Sequence, residues 1–189
     1  MANQDAPFGL RPVGKLSGNR DSGGTTEYSI AACASAIYQN DPVKMLCTGT
    51  IGVAAATNTL VGSINGVFYT DATTSKPTFA RYLAASNAAT DIVGFVNDDP
   101  FTVFEIQSAG SGAHAQGDVG SNADLATYAA GAAPDYLSQV ELVDTQSTTT
   151  AVCRIIGLSL DPDNNDVTAA NVNWRVLIAE HFYMTTTGI

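Results

Sequence analysis

Val172-Asn173-Trp174-Arg175-Val176-Leu177-Ile178 sets Val172, Trp174, Val176 and Ile178 on one side of an extended chain and Asn173 and Arg175 on the other. A period of two marks a strand with one face in a core and one near solvent, because successive side chains of extended backbone point in opposite directions. Outward from it, short runs rich in β-branched and aromatic residues recur between turn clusters. They span 27–31, 42–48, 60–69, 77–83, 91–96, 101–107, 137–143, 151–160 and 172–182, the last containing the quoted stretch. Strands at this spacing predict an all-β fold, a small β-barrel or β-sandwich-like body.

Three runs share an aliphatic-aliphatic-Gly signature: Leu60-Val61-Gly62, Ile92-Val93-Gly94 and Ile155-Ile156-Gly157. Gly inside a strand is expected at a bulge or sharp bend. At most one short helix is predicted. Asn122 is a cap candidate ahead of an Ala-rich stretch to Ala130, with Gly131 and Pro134 as stops. Residues 145–150 read as a polar turn.

Residues 6–24, APFGLRPVGKLSGNRDSGG, hold two Pro and five Gly with no regular period. They read as an extended N-terminal arm, which divides the chain into an arm (1–24) and a β-rich body (25–189). At 189 residues one such domain is expected, and about 70% of the extended chain's surface can be buried at this size without metals or disulfides.

Charged residues make up 14% of the chain, where about 25% is usual. With 18 acidic and 8 basic residues the net charge is −10. That balance argues against nucleic acid or an anionic membrane as the main partner, since both select clustered Lys and Arg. The distribution is uneven, because residues 1–20 carry Arg11, Lys15 and Arg20 against Asp5 alone. Cys33, Cys47 and Cys153 are an odd number at wide spacing, which fits buried thiols in a reducing compartment. The start Met-Ala-Asn-Gln-Asp has neither a basic n-region nor an apolar h-region. No apolar run reaches the roughly 18 residues of a membrane helix, so the product is expected to stay soluble where it is made.

The motifs that could carry chemistry fall short. Gly9-Leu-Arg-Pro-Val-Gly14-Lys15 follows a phosphate-binding loop until Leu16, where Ser or Thr would hold magnesium. Asp161-Pro-Asp163-Asn-Asn165-Asp166 starts like a calcium loop, but has Asp166 at the glycine position and Val172 where a bidentate Glu belongs. A polar turn explains it better. His114 and His181 have no ligand-spaced partners, and no Gly-x-Ser-x-Gly elbow occurs. Asp98 and Asp99 would point to opposite faces and, with Pro100, read as a turn. Phe101, Phe104, Tyr128, Tyr136, Trp174, Phe182 and Tyr183 read as scattered core or interface aromatics, not as a stacking platform. The chain is therefore read as no enzyme, with no cofactor and no metal.

Five blocks carry a resemblance: APFGLRPV at 6–13, DDPFTVFEIQ at 98–107, GDVGSNADL at 117–125, RIIGLSLDPDN at 154–164 and NVNWRVLIAEH at 171–181. Together the chain resembles the capsid cement (decoration) proteins of tailed bacteriophages. The resemblance implies a structural protein made in the host bacterial cytoplasm and carried on the capsid exterior of the virion. There it would sit as a homotrimer and stabilise contacts between major capsid protein subunits, with no nucleic-acid or membrane partner. The arm from Ala6 to Arg20 is expected to contact coat protein, with Phe8 as apolar anchor, Arg11 and Lys15 facing acidic coat surface, and Pro12 and Arg20 as further contact residues. Two other readings stay open, a head-tail joint or tail structural protein, and a surface carbohydrate-binding module. The latter would show exposed aromatic side chains.

Overall fold

The computed structural model describes the chain except for residues 1–2, 18–23, 32–34, 111–113, 127–134, 145, 148, 165, 187 and 189. Among the described residues the strands are β1 (Arg11–Lys15), β2 (Thr26–Ser29), β3 (Pro42–Met45), β4 (Ile51–Val53), β5 (Gly62–Thr70), β6 (Pro77–Ala80), β7 (Val93–Asn97), β8 (Thr102–Gln107), β9 (Asn122–Ala123), β10 (Cys153–Leu158) and β11 (Asn173–Ile178). One antiparallel sheet has the order β1-β8-β11-β10-β9 and the other β2-β7-β5-β3-β4, with β6 also paired to β5. The two ends of the second path meet at a single bridge, Ile30 to Ile51. One bridge is not a continuous ladder, so the body is sandwich-like and not a closed barrel.

The quoted alternation is realised in β11. Val172, Trp174 and Val176 are 0% exposed and Ile178 5%, while Asn173 and Arg175 are half-buried. They pack with Leu10, Phe104, Ile106, Leu125, Leu142 and Ile155 in the first core cluster. A second cluster, built on Ile37, Val43, Ile51, Ile64, Leu83 and Val96, lines the other sheet. Main-chain bonds tie the two together: Leu60 N donates to Glu180 O at 3.0 Å and Phe182 N to Leu60 O at 2.8 Å.

The N-terminal segment read as a separate arm is woven into the body from Leu10 to Lys15. Leu10 is fully buried, its N–H donates to Asn40 O, and its carbonyl accepts the Ser63 hydroxyl at 2.6 Å. β1 then pairs with β8, Arg11 opposite Glu105 and Lys15 opposite Thr102, with a register shift between Pro12 and Gly14. That shift leaves Val13 as an extra residue, which breaks the period-two pattern and hid the strand in the sequence. Pro12 is tolerated because β1 is an edge strand.

Two other expectations are corrected. Asn122 opens no helix: it lies in β9 opposite Arg154, its side chain accepts from Arg154 Nε at 3.0 Å and donates to Thr149 O at 2.7 Å. Those cross-chain bonds, with Ala123 and Leu125 in the core, hold the backbone extended; residues 127–130 of the expected helix lie outside the described residues. The run 137–143 is not a continuous strand and contributes isolated bridges, Leu137 to Gln39 and Leu142 to Ser108 and Leu125, while Val140 and Leu142 still fill the core.

The three Gly signatures resolve differently. Gly157 borders a register shift against β11, as expected of a bulge. Gly62 and Gly94 are sites of close approach instead: a Cβ would stand 2.0 Å from Asn97 O at the first and 2.9 Å from Ile30 Cδ1 at the second. The bulge between β5 and β7 falls two residues on, between Ile64 and Gly66.

Candidate partner-binding surface

Edge strand β1 carries three of the five expected contact residues, Arg11, Pro12 and Lys15, and a fourth, Phe8, lies just ahead of it. Phe8 is half-buried, and the Arg11 guanidinium carbon lies 4.3 Å from its ring centroid, a cation–π contact. Arg11 Nη2 also meets Glu105 Oε2 at 2.5 Å, and Lys15 Nζ meets Asp99 Oδ2 at 2.8 Å. The Lys15 ammonium, helped by the Phe101 N–H, holds the Asp99 carboxyl below its usual range. The basic side chains expected to face a partner are thus paired within the chain. Arg20 lies outside the described residues.

Besides the exposed Arg11, apolar side chains are open on β1 and in the turns beside it. Val13 is 44% exposed, Leu16 53% and Phe101 55%. Leu16 N donates to Phe101 O at 2.9 Å, which holds the two residues side by side, and both line one surface hollow with Lys15, Ser17 and Asp99. Lone exposed apolar side chains are ordinary, whereas neighbouring ones with their flanking charges already paired make a surface suited to burial. Sequence reasoning missed this because Phe101 comes from a turn far along the chain. The available signal was a large apolar residue directly after Asp-Asp-Pro.

Asp98 and Asp99 line the same cleft but bind different partners. Asp98 accepts from Thr26 Oγ1 at 2.9 Å and Tyr28 Oη at 2.6 Å; Asp99 accepts from Phe101 N at 2.8 Å, closing the predicted turn. The cleft of about 230 Å³ beside them, lined by Pro12, Lys15, Thr26 and Thr102 among others, therefore has carboxylates already engaged.

The histidines are buried. His114, 2% exposed, has Nδ1 3.3 Å from Gln146 Nε2 and Nε2 3.3 Å from Asp144 Oδ1, with the Trp174 ring edge-on at 5.5 Å. Asp118 Oδ2 stands 3.8 Å from Nδ1, so carboxylates flank both ring nitrogens. His181 Nδ1 accepts the Tyr183 N–H at 3.2 Å, and burial pushes its pKa down. Among the described residues neither ring is hydrogen-bonded to a Ser or Cys nucleophile, and no group of three or more His, Cys, Asp and Glu side chains could hold a metal ion.

The Asp161 segment is a turn: Asp163 N donates to Asp161 Oδ1, and the Asn164 side chain is locked to the Asn173 backbone through both its oxygen and its nitrogen. The Gly9–Lys15 stretch runs into strand β1, so among the described residues it opens no helix N-terminus on which phosphate could sit.

One aromatic expectation is corrected. Phe104 and Trp174 are core residues, but Tyr136 belongs to a surface stack. The rings of Tyr82 and Tyr136 are 4.0 Å apart and 4° from parallel, and Tyr38 stacks on Tyr82 at 6.4 Å and 14°. Hydrogen bonding to Tyr136, and the nearby Tyr69 and Tyr38 phenols, raise the Tyr82 pKa. Three loops supply these rings, so linear spacing gave no sign of them.

No protein family, curated protein or solved structure matches the chain.

Proposed function

We propose that the protein is a structural virion component that binds the outside of the mature phage capsid as a homotrimer and stabilises contacts between major capsid protein subunits. It acts by linkage: a partner that binds only the mature lattice lowers that lattice's free energy, and many copies acting together oppose internal pressure. The observation that carries this reading is the exposed apolar pair Leu16 and Phe101 beside β1, with the neighbouring Lys15 and Asp99 paired to each other. Low charge over the whole chain supports it, since charged residues are depleted at the centre of lasting interfaces. In this arrangement Arg11 and Lys15 fix the strand, and Phe8 and Pro12 shape the surface.

The test is binding of the purified protein to heads that lack it, read as occupancy per coat subunit and as heat resistance of the particle. Leu16→Asp with Phe101→Asp is expected to abolish occupancy while leaving the isolated protein folded. Unchanged occupancy would overturn the assignment of this surface. A copy number of about a dozen per particle, and not one comparable to coat, would point to a joint instead. Light scattering of the free and bound protein checks the trimer.

A further inference from the structure

We propose that the tyrosine stack of Tyr38, Tyr82 and Tyr136 is a binding site for a neutral oligosaccharide, separate from the β1 surface.

Four of the chain's seven tyrosines lie in this patch, with Tyr69 close enough to perturb Tyr82. Burial does not force the clustering, because the Tyr38, Tyr82 and Tyr136 side chains are all partly solvent-accessible. The Tyr82 and Tyr136 rings lie parallel with centroids 4.0 Å apart, a stacked contact that aromatic pairs favour when laterally offset. Tyr136 further adopts φ +50°, a left-handed conformation that bulky residues rarely take. Backbone strain at a partly accessible aromatic residue points to a retained purpose other than stability.

The loops carrying the rings are fixed from behind. The Tyr38 N–H donates to the Asp41 carboxylate at 2.8 Å, and that buried carboxylate also accepts from Ser138, two residues after Tyr136. Gly9 packs so tightly here that a Cβ would stand 2.4 Å from Ser138 Cβ and 2.5 Å from Asn40 O. The platform is thus preorganised, which limits the ordering cost of binding.

The chemistry around the rings selects the ligand. Gln39 donates to Asn65 at the surface, and Arg81 Nη1 reaches Asp135 O at 3.3 Å. Amides, phenols and a guanidinium beside flat apolar faces match a sugar, which has an apolar C–H face and a rim of hydroxyls that both donate and accept. Net charge of −10 disfavours a polyanionic glycan, so the assignment is to a neutral one.

The experiment is an array of neutral and anionic oligosaccharides probed with the full-length protein, followed by titration of the best neutral binder. Tyr82→Ala and Arg81→Ala variants are compared, with circular dichroism and melting to establish folding. Neutral glycans are expected to bind, and Tyr82→Ala to weaken binding about tenfold or more. Tyr82 is a surface ring, so its removal is expected to leave the fold intact; should it unfold the protein, Arg81→Ala supplies the same comparison. Binding that neither variant changes, binding confined to anionic glycans, or no glycan binding would each overturn the proposal. Loss of capsid occupancy in Tyr82→Ala without glycan binding would make the stack a protein interface. The Leu16→Asp, Phe101→Asp variant is expected to keep glycan binding, so this site and the capsid contact stand or fall separately.

Discussion

Gly62 faces the main-chain carbonyl of Asn97 so closely that a Cβ on it would stand 2.0 Å from the oxygen and 2.9 Å from the carbonyl carbon. Backbone on one side and a paired strand on the other leave nothing soft to move. Gly62→Ala is therefore expected to destabilise the protein by about 1–3 kcal/mol, the range for overpacking a filled site. Gly157 shares the same sequence signature but meets nothing within 4 Å, so Gly157→Ala is expected to stay within about 1 kcal/mol of the parent. Urea unfolding of both variants checks this, and equal effects would sink it.

The N-terminal segment contributes to stability as well as to contact. Leu10 is fully buried in the first core, and Leu10→Ala is expected to cost about 2–5 kcal/mol. Removing residues 1–16 also strips β1 from β8. The truncated chain is expected to melt well below the parent, and unchanged melting would show that β1 is dispensable.

Asp41 makes stability depend on pH. Burial raises its pKa from 3.8 to about 6, against hydrogen bonds from Ser138 and the Tyr38 N–H that lower it. The folded state therefore holds a proton across a window where the unfolded state releases it. This contribution is fully present below pH 3.8 and is lost as pH rises through about 6. A gap of about two pH units corresponds to up to about 3 kcal/mol. Asp41→Asn keeps an acceptor for Tyr38 N and has no charge to bury. Its stability relative to the parent is expected to grow between pH 4 and pH 7 and then level off. A difference independent of pH would count against the buried carboxylate.

Thiol reactivity is expected to separate two cysteines. Cys47 is exposed, whereas Cys153 is buried and burial pushes its pKa up to about 12. In a Cys33→Ala background, a maleimide reagent is expected to label one thiol in the native protein and two after denaturation, because only the thiolate reacts. Native labelling of Cys153 would contradict its place in the core.

The sequence by itself determined the all-β class and the strands whose alternation is strict. Val172, Trp174, Val176 and Ile178 share a face because of the geometry of extended backbone, whatever lies around them. Asp98-Asp99-Pro100 was legible as a turn for the same local reason, and Asp161–Asn164 likewise. β1 was not legible, since Pro12 and the extra residue Val13 spoil its period, and only the neighbouring β8 ladder makes it a strand. The role of Asn122 was decided in the same way, by Arg154 and Thr149 brought from elsewhere in the chain. Both candidate surfaces belong to this second kind. Leu16 meets Phe101, and Tyr82 meets Tyr38 and Tyr136, through long-range pairing of strands and loops. Local propensity records the conformation of a segment, whereas such meetings depend on which segments the two cores pull together.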